Sequence, residues 1–320
     1  MTPPPLAPPT LDDVRAARRR IAGSAIVTPT VPLEVPGAPC SLALKLECLQ
    51  PIGSFKIRGA ANAMALADAD AMRAGVYTGS AGNMAQGVAW NARRMGVPCR
   101  VFVPDAAPRA KLDAIERLGA TWVPLPFDDW WRVLVDHGRP GEPGFFVHPV
   151  SDPAVIAGNG TVGLEILEQH PDVQAIVVPY GGGGLSCGIA AAVKAVRPDV
   201  RVYAAEVETA APLAAAFEAG EPVTVPRTPT FVDGIGSTGL LPEMWPLASG
   251  LLDGALVVSL DEIEDAIRLL ATRARVVAEG AGGAAVAAAL TGALGQEHVV
   301  AVVSGGNLDP TVLARILGEG

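Results

Sequence analysis

Seven short apolar runs recur along the chain without strict polar alternation: 42–47, 75–79, 99–104, 121–125, 175–180, 200–206 and 299–304. Segments with helical spacing separate them, among them NMAQGVAWNARRM, RAKLDAIERLG, AVIAGNGTVGLEILEQ and LSCGIAAAVKAV. A strand that is apolar on both faces must be covered on both faces. Alternation with helices supplies that cover, so the pattern predicts an α/β architecture with a mostly parallel sheet. No fixed-period repeat is visible, and neither loop 137–144 nor loop 221–230 cuts the chain into independent halves. Thr10 before LDDVRAARRRI reads as the N-cap of a first helix, with acids in its first turn and bases in its last.

Open α/β sheets bind ligands where strand C-termini meet helix N-termini. Three junctions of that kind carry glycine. At GSAGNMAQG (79–87), backbone N–H groups could cradle a carboxylate, although an ordinary turn would look similar. At YGGGGLSCG (180–188), four consecutive glycines before a helix suit a phosphate. This stretch has neither the GxGxxG spacing of a dinucleotide site nor the GK[ST] of a P-loop, which weighs against a nucleotide-binding oxidoreductase. At VVSGGNLD (302–309), a strand delivers Ser304 to a glycine turn.

PIGSFKIRGA (51–60) adds a lysine in an unusual setting. The chain has four lysines (Lys45, Lys56, Lys111 and Lys194) against twenty arginines, so arginine is its default cation. Lysine can lose its proton and act as an amine, which arginine cannot. A solvated first-turn residue is the plain alternative for Lys56. Taken together, an amine, a phosphate cradle, a carboxylate-sized nest and a serine at a strand end suit pyridoxal phosphate and an amino-acid substrate.

The segments KLECLQPIGSFKIRGA, GSAGNMAQGVA, YGGGGLS, FVDGIGSTG, AEGAGGAAVAAAL and VVSGGNLD resemble the fold-type II pyridoxal-phosphate enzymes. Within these they look most like the threonine/serine dehydratase (threonine ammonia-lyase) and serine racemase group, and the resemblance spans nearly the whole chain. It implies two open, mostly parallel sheets flanked by helices, a fold like that of the tryptophan synthase β chain. A small substrate-binding domain (65–149) would be inserted in a large cofactor domain (1–64 and 150–320), with the cofactor between them. It implies that Lys56 carries the cofactor, that Phe55 packs beside it and that Asn83 bonds its phenolic oxygen. Gly181, Gly182, Gly183, Gly184 and Leu185 would hold the phosphate, and Ser304 would meet the ring nitrogen. Ser80, Ala81, Gly82, Asn83 and Met84 would surround the substrate carboxylate, with Ser80 counted beside Lys56 as catalytic. The activity implied is β-elimination from L-threonine, L-serine or a related β-hydroxy amino acid, giving a 2-oxo acid and ammonia.

Departures from the group's pattern qualify this. Met84 stands where the group usually has histidine, which bears on substrate preference. Racemases place a second serine where this chain has Ala81, and a methyl group cannot transfer a proton, so dehydration is favoured over racemisation. A racemase, a β-replacement enzyme and a non-catalytic cofactor-binding protein are the alternatives. Glu206 fits the first acid of a cation site found in some members, but residues 210–216 offer no second carboxylate. A divalent ion is therefore disfavoured, while a monovalent cation held by carbonyls stays open. The chain ends soon after SGGN, so control by isoleucine is not expected. PFDDWWR (126–132) reads chiefly as helix packing. The sharper reading makes Trp130 and Trp131 a lining for a bulkier substrate, with Arg132 as a second anion anchor. Glu279 opens the EGAGG helix as either a structural or a tuning residue.

Composition closes off other classes. The net charge is −9, with no basic run interleaved with aromatic residues, which argues against nucleic acid. Four cysteines show no CxxC pairing or adjacent histidine, so zinc is disfavoured and a reducing cytoplasm is expected. The N-terminal MTPPPLAPPT lacks the features of a secretory signal and reads as a disordered tail. No stretch resembles a membrane span. A homodimer or homotetramer is the expected assembly.

Overall fold

A computed structural model describes residues 6–295 and 297–318. The first half (1–5) of the expected proline-rich tail lies outside the described residues, but Leu6 already packs on the core. The strands are β1 (Thr30–Leu33), β2 (Ser41–Leu46), β3 (Val76–Gly79), β4 (Cys99–Pro104) and β5 (Thr121–Leu125), then β6 (Phe145–Phe146), β7 (Ala175–Pro179), β8 (Arg201–Val207), β9 (Gly254–Val258) and β10 (His298–Val303).

They form two sheets, a six-stranded one in the order β1-β2-β10-β7-β8-β9 and a four-stranded one in the order β5-β4-β3-β6. All neighbours run parallel except the edge pair β1–β2. The seven runs read from sequence correspond to β2, β3, β4, β5, β7, β8 and β10. The three strands that sequence reading passes over are edges: β1 contains Pro32, β6 is two residues long, and β9 is half-exposed. Edge strands lack the doubly buried apolar run that marks a central strand.

Helices cover both faces of the large sheet. On one side, Val286, Ala285 and Ile263 pack over β2, β10 and β7; on the other, Ile166, Ile189 and Val193 do the same. The helix Pro153–Gln169 lies close to the helix Lys56–Leu66. A Cβ on Gly158 would come within 2.6 Å of the Arg58 carbonyl oxygen, so only glycine permits this approach. The small sheet has its own core, including Met84, Val88, Val101 and Ile115. No helix among the described residues is long and apolar enough to cross a membrane.

Candidate active site

The strand ends of the two sheets converge on a cavity of about 710 Å³. Every cofactor and substrate residue expected from sequence lines it: Phe55, Lys56, Ser80, Ala81, Gly82, Asn83, Met84, Gly181 to Gly184, Leu185 and Ser304. The chain brings them there by three strand-to-helix turns. β3 ends at Gly79, and the helix Asn83–Met95 begins four residues later. β7 ends at Pro179, and the helix Ser186–Val196 follows the tetraglycine. β10 ends at Val303, leaving Ser304 buried at the turn, where its carbonyl accepts the Phe55 N–H at 3.0 Å.

Lys56 is half-buried, and its Nζ donates to the Pro149 carbonyl at 2.6 Å. Burial lowers its pKa to about 8, while Glu279 pulls it upward. Glu279 is the N-cap of the helix Gly280–Leu290 and accepts from Asn83 Nδ2 at 2.8 and 3.0 Å. Burial raises the Glu279 carboxyl to about 7, against the lowering effect of the Asn83 bond. Asn307 Nδ2 donates to Asn83 Oδ1 at 2.8 Å and so fixes which way the amide faces. Ser80 Oγ accepts the Gly82 N–H at 3.2 Å, which shapes the turn before the helix.

The tetraglycine is a cradle that side chains would fill. A Cβ on Gly182 would lie 2.6 Å from Val150 Cγ1, and one on Gly184 would lie 2.9 Å from the Val150 carbonyl oxygen. Gly183 has φ +94°, a conformation that L side chains rarely adopt. An anion-sized hollow at a helix N-terminus, facing a lysine of lowered basicity across one cavity, fits pyridoxal phosphate.

Other expected residues fall elsewhere. Glu206 is buried outside the cavity, and its two oxygens accept the Leu213 and Ala214 N–H groups at 3.0 and 2.7 Å. This carboxylate caps the helix Pro212–Ala219. It joins no group of three potential metal ligands among the described residues; that arrangement occurs only at His170, Asp172 and His298. Arg132 points to solvent, pairs with Asp129 at 3.4 Å and does not reach the cavity, so the second anchor considered from sequence is not there. Trp131 is 40% exposed and also lies off the cavity, whereas Trp130 and Phe127 line it. Met84 lines the wall with its side chain buried in the small-sheet core.

Sequence reading assigned no role to several lining residues. Lys111 and Asp233 pair at 2.5 Å across the two parts of the fold, and Arg227, Asn307 and Pro149 also line the cavity. Asp233 and Asn307 lie inside the segments FVDGIGSTG and VVSGGNLD, so a polar residue in a glycine turn was the available signal.

Comparison with known proteins agrees with this geometry. The pattern of the family described as "Pyridoxal-phosphate dependent enzyme" matches residues 21–305. The L-threonine ammonia-lyase of Thermotoga maritima is 39% identical over 319 residues, covering 97% of this chain and 79% of the relative. The catabolic L-threonine dehydratase TdcB of Escherichia coli K12 is 38% identical, with 97% of both chains covered. The structure of maize serine racemase superposes with a TM-score of 0.88 at 32% identity, covering 98% of both chains. With a match over most of its length and relatives above one-third identity, the chain belongs to the pyridoxal-phosphate dependent enzymes, in the threonine ammonia-lyase and serine racemase group.

Proposed function

We propose that the chain is a lyase that removes water and ammonia from L-threonine or L-serine, releasing a 2-oxo acid. The observation that carries this reading is the convergence of Lys56, the Ser80–Met84 turn and the tetraglycine on one cavity. The relatives named above as ammonia-lyase and dehydratase support it. Bound pyridoxal phosphate would supply an electron sink for the electron pair left at the substrate Cα.

The chain's own residues would do the rest. N–H groups of Gly181 to Leu185 would hold the phosphate at the start of the helix Ser186–Val196. The Asn83 amide would meet the phenolic oxygen, and the Ser304 hydroxyl the ring nitrogen. Ser80, Gly82 and the backbone at Met84 would take the substrate carboxylate. Lys56 Nζ, with its pKa lowered to about 8, would accept the Cα proton. A hydroxyl at Ser304 holds the ring without the strong preference for a protonated ring nitrogen that a carboxylate would impose. That favours rapid loss of the β-substituent.

The wider reading includes a small substrate domain over 65–149 and cytoplasmic location, the latter in keeping with four free cysteines. It includes a homodimer or homotetramer that would cover the exposed Ile26, Val27 and Leu49, testable by light scattering. It also includes a monovalent cation held by carbonyls, testable by potassium dependence of the rate.

A second reading has a specific observation behind it. Phe127, 59% exposed, and Trp130 line the cavity, and their rings lie 5.6 Å apart. Such a wall suits a β-hydroxy amino acid with a larger apolar β-substituent. Measuring 2-oxo acid release across threonine, serine and β-hydroxy amino acids of increasing size tests both readings. The highest kcat/KM with threonine or serine supports the first, and the highest with an aromatic β-substituent supports the second. No 2-oxo acid from any of them overturns both.

A further inference from the structure

His148 makes contacts that neither the reaction nor the fold requires of a generic core residue. Its side chain is 2% exposed. Its Nδ1 lies 3.0 Å from the Val150 nitrogen and 2.8 Å from the Ser151 nitrogen, and both of these are N–H donors. A ring nitrogen that receives N–H bonds carries no proton, so the proton is on Nε2. Nε2 then donates to the Leu134 carbonyl at 3.2 Å.

The Val150 N–H and the Pro149 carbonyl belong to one peptide unit. In a planar trans peptide they point in opposite directions. Holding the N–H at His148 therefore aims the carbonyl oxygen at Lys56 Nζ, 2.6 Å away. The donors run in one direction throughout: Lys56 Nζ–H to the Pro149 oxygen, Val150 N–H to His148 Nδ1, and His148 Nε2–H to the Leu134 oxygen. Hydrogen bonds aligned in this way polarise one another. Leu134 lies on the helix Phe127–Val135, the same helix that brings Phe127 and Trp130 to the cavity.

We infer that His148, as a neutral imidazole protonated on Nε2, is a positioning residue for Lys56, clamping the peptide whose carbonyl orients the amine. With one Nζ–H committed to that carbonyl, the lone pair of the neutral amine is directed by the clamp. The inference rests on the assignment of Lys56 as the amine that takes the Cα proton.

The surroundings keep the ring neutral. Burial pushes His148 down to about 3, with His137 and Lys56 adding repulsion against the Leu134 bond. His137 stacks on it with ring centroids 4.4 Å apart, and His137 Nε2 lies 3.4 Å from both Glu243 Oε1 and Ser151 Oγ. Ser151 Oγ lies 3.3 Å from either ring nitrogen of His148.

Two measurements test the inference. The chain has four histidines, so ring ¹⁵N spectra of the full-length, cofactor-free protein are assignable with one His148 variant. Between pH 6 and 8, His148 should show an unprotonated Nδ1 and a protonated Nε2. An Nδ1-protonated ring or an imidazolium at pH 6 overturns the clamp, whatever the variants do. In the holoenzyme, His148→Phe keeps the ring volume and removes all three of these hydrogen bonds. It should lower kcat about tenfold or more, the scale of a misplaced catalytic group, with KM little changed. His148→Gln can accept at oxygen and donate at nitrogen, and should recover most of that loss. Wild-type kcat in a folded His148→Phe also overturns the inference. If Lys56→Ala kept activity, the underlying assignment of Lys56 would fail instead, and the ¹⁵N result would stand apart from it.

Discussion

Lys45 and Lys56 are eleven residues apart, one fully and the other half withdrawn from water, and their surroundings have opposite logic. Lys45 is fully buried; its Nζ meets Glu165 at 2.7 Å, the Thr28 carbonyl at 2.6 Å and Gln169 at 3.1 Å. Behind it Arg58 bonds Glu47 twice at 2.8 Å and Glu165 at 2.6 and 2.8 Å. Two cations face two carboxylates, and Thr28 and Gln50 donate to the same two oxygens of Glu47 that Arg58 holds. Lys56 Nζ has one carbonyl and the face of the Phe55 ring, 5.3 Å from its centroid, and among the described residues it is the lysine without an ion pair. A buried charge with a full set of partners is architecture. One left without a carboxylate keeps an amine that can change its proton, which is what the proposed chemistry needs.

This contrast limits what lysine rarity can say. All four lysines are equally scarce, yet Lys45 belongs to a structural ion network and Lys111 and Lys194 make surface pairs. Rarity did not single out Lys56; its Gly-Ser-Phe setting and the family resemblance did.

The largest expected effect sets the two lysine regions directly against each other. Lys56→Met should cut turnover by roughly 10²–10⁴-fold or more, since the proton acceptor is gone. Arg58→Met should cost about 3–5 kcal/mol of stability, because buried Glu47 would lose its ion pair and buried Glu165 would keep Lys45 as its one cation. Urea denaturation and initial rates on both variants check the pair of outcomes. A stable Arg58→Met, or an active Lys56→Met, would erase the distinction.

A smaller effect has a defined pH signature in the cofactor-free protein. Burial holds Lys56 at about 8, below the roughly 10.4 of an unfolded lysine. The unfolded chain therefore binds that proton more tightly, and stability rises as pH climbs between these values. The cost of burying the ammonium is full below pH 8, shrinks above it and is absent beyond the unfolded value. Lys56→Met should thus be more stable than wild type at pH 7, by about 1–2 kcal/mol after allowing for screening. The gain should fade toward pH 10. A gain independent of pH would point to packing rather than charge.

How much of this was legible follows from where each signal resides. The central strands announce themselves because a doubly buried strand must be apolar throughout, and the site turns because helix N-termini need glycine to approach an anion. Those signals are local in sequence. The clamp at His148 draws its partners from residues 56, 134 and 150–151, and no short window contains them. Glu206 shows the same limit: the strand that delivers it matches the pattern, but its bonds to the N–H groups of the next helix become visible only in three dimensions. Arg132 has the right charge, yet it lies on the solvent side of its helix.

Ala81, which lines the same cavity as Lys56, sharpens the comparison. In the proposed reaction Lys56 serves one face of Cα, and the methyl of Ala81 has no proton to offer the other. Wild type with L-serine in deuterated water should give pyruvate and ammonia with little D-serine. Ala81→Ser should add measurable deuterated D-serine, read by chiral chromatography. Abundant D-serine from wild type would return the racemase alternative to first place.

The smallest effect concerns the third lysine. Lys111, on the helix Arg109–Arg117 beside the small sheet, pairs with Asp233 on the loop that follows Phe231, and both side chains are partly exposed at the cavity. An exposed pair contributes about 1 kcal/mol or less and weakens with salt. Lys111→Ala should therefore leave stability almost unchanged. The pair nevertheless spans the cavity between residues of the two sheet units, so its loss should alter substrate capture before it alters chemistry. A few-fold rise in KM at constant kcat, reproduced in wild type by high salt, is the expected result. A fall in kcat as large as that of Lys56→Met would mean that Lys111 takes part in the reaction, and that a carboxylate partner does not mark a lysine as structural.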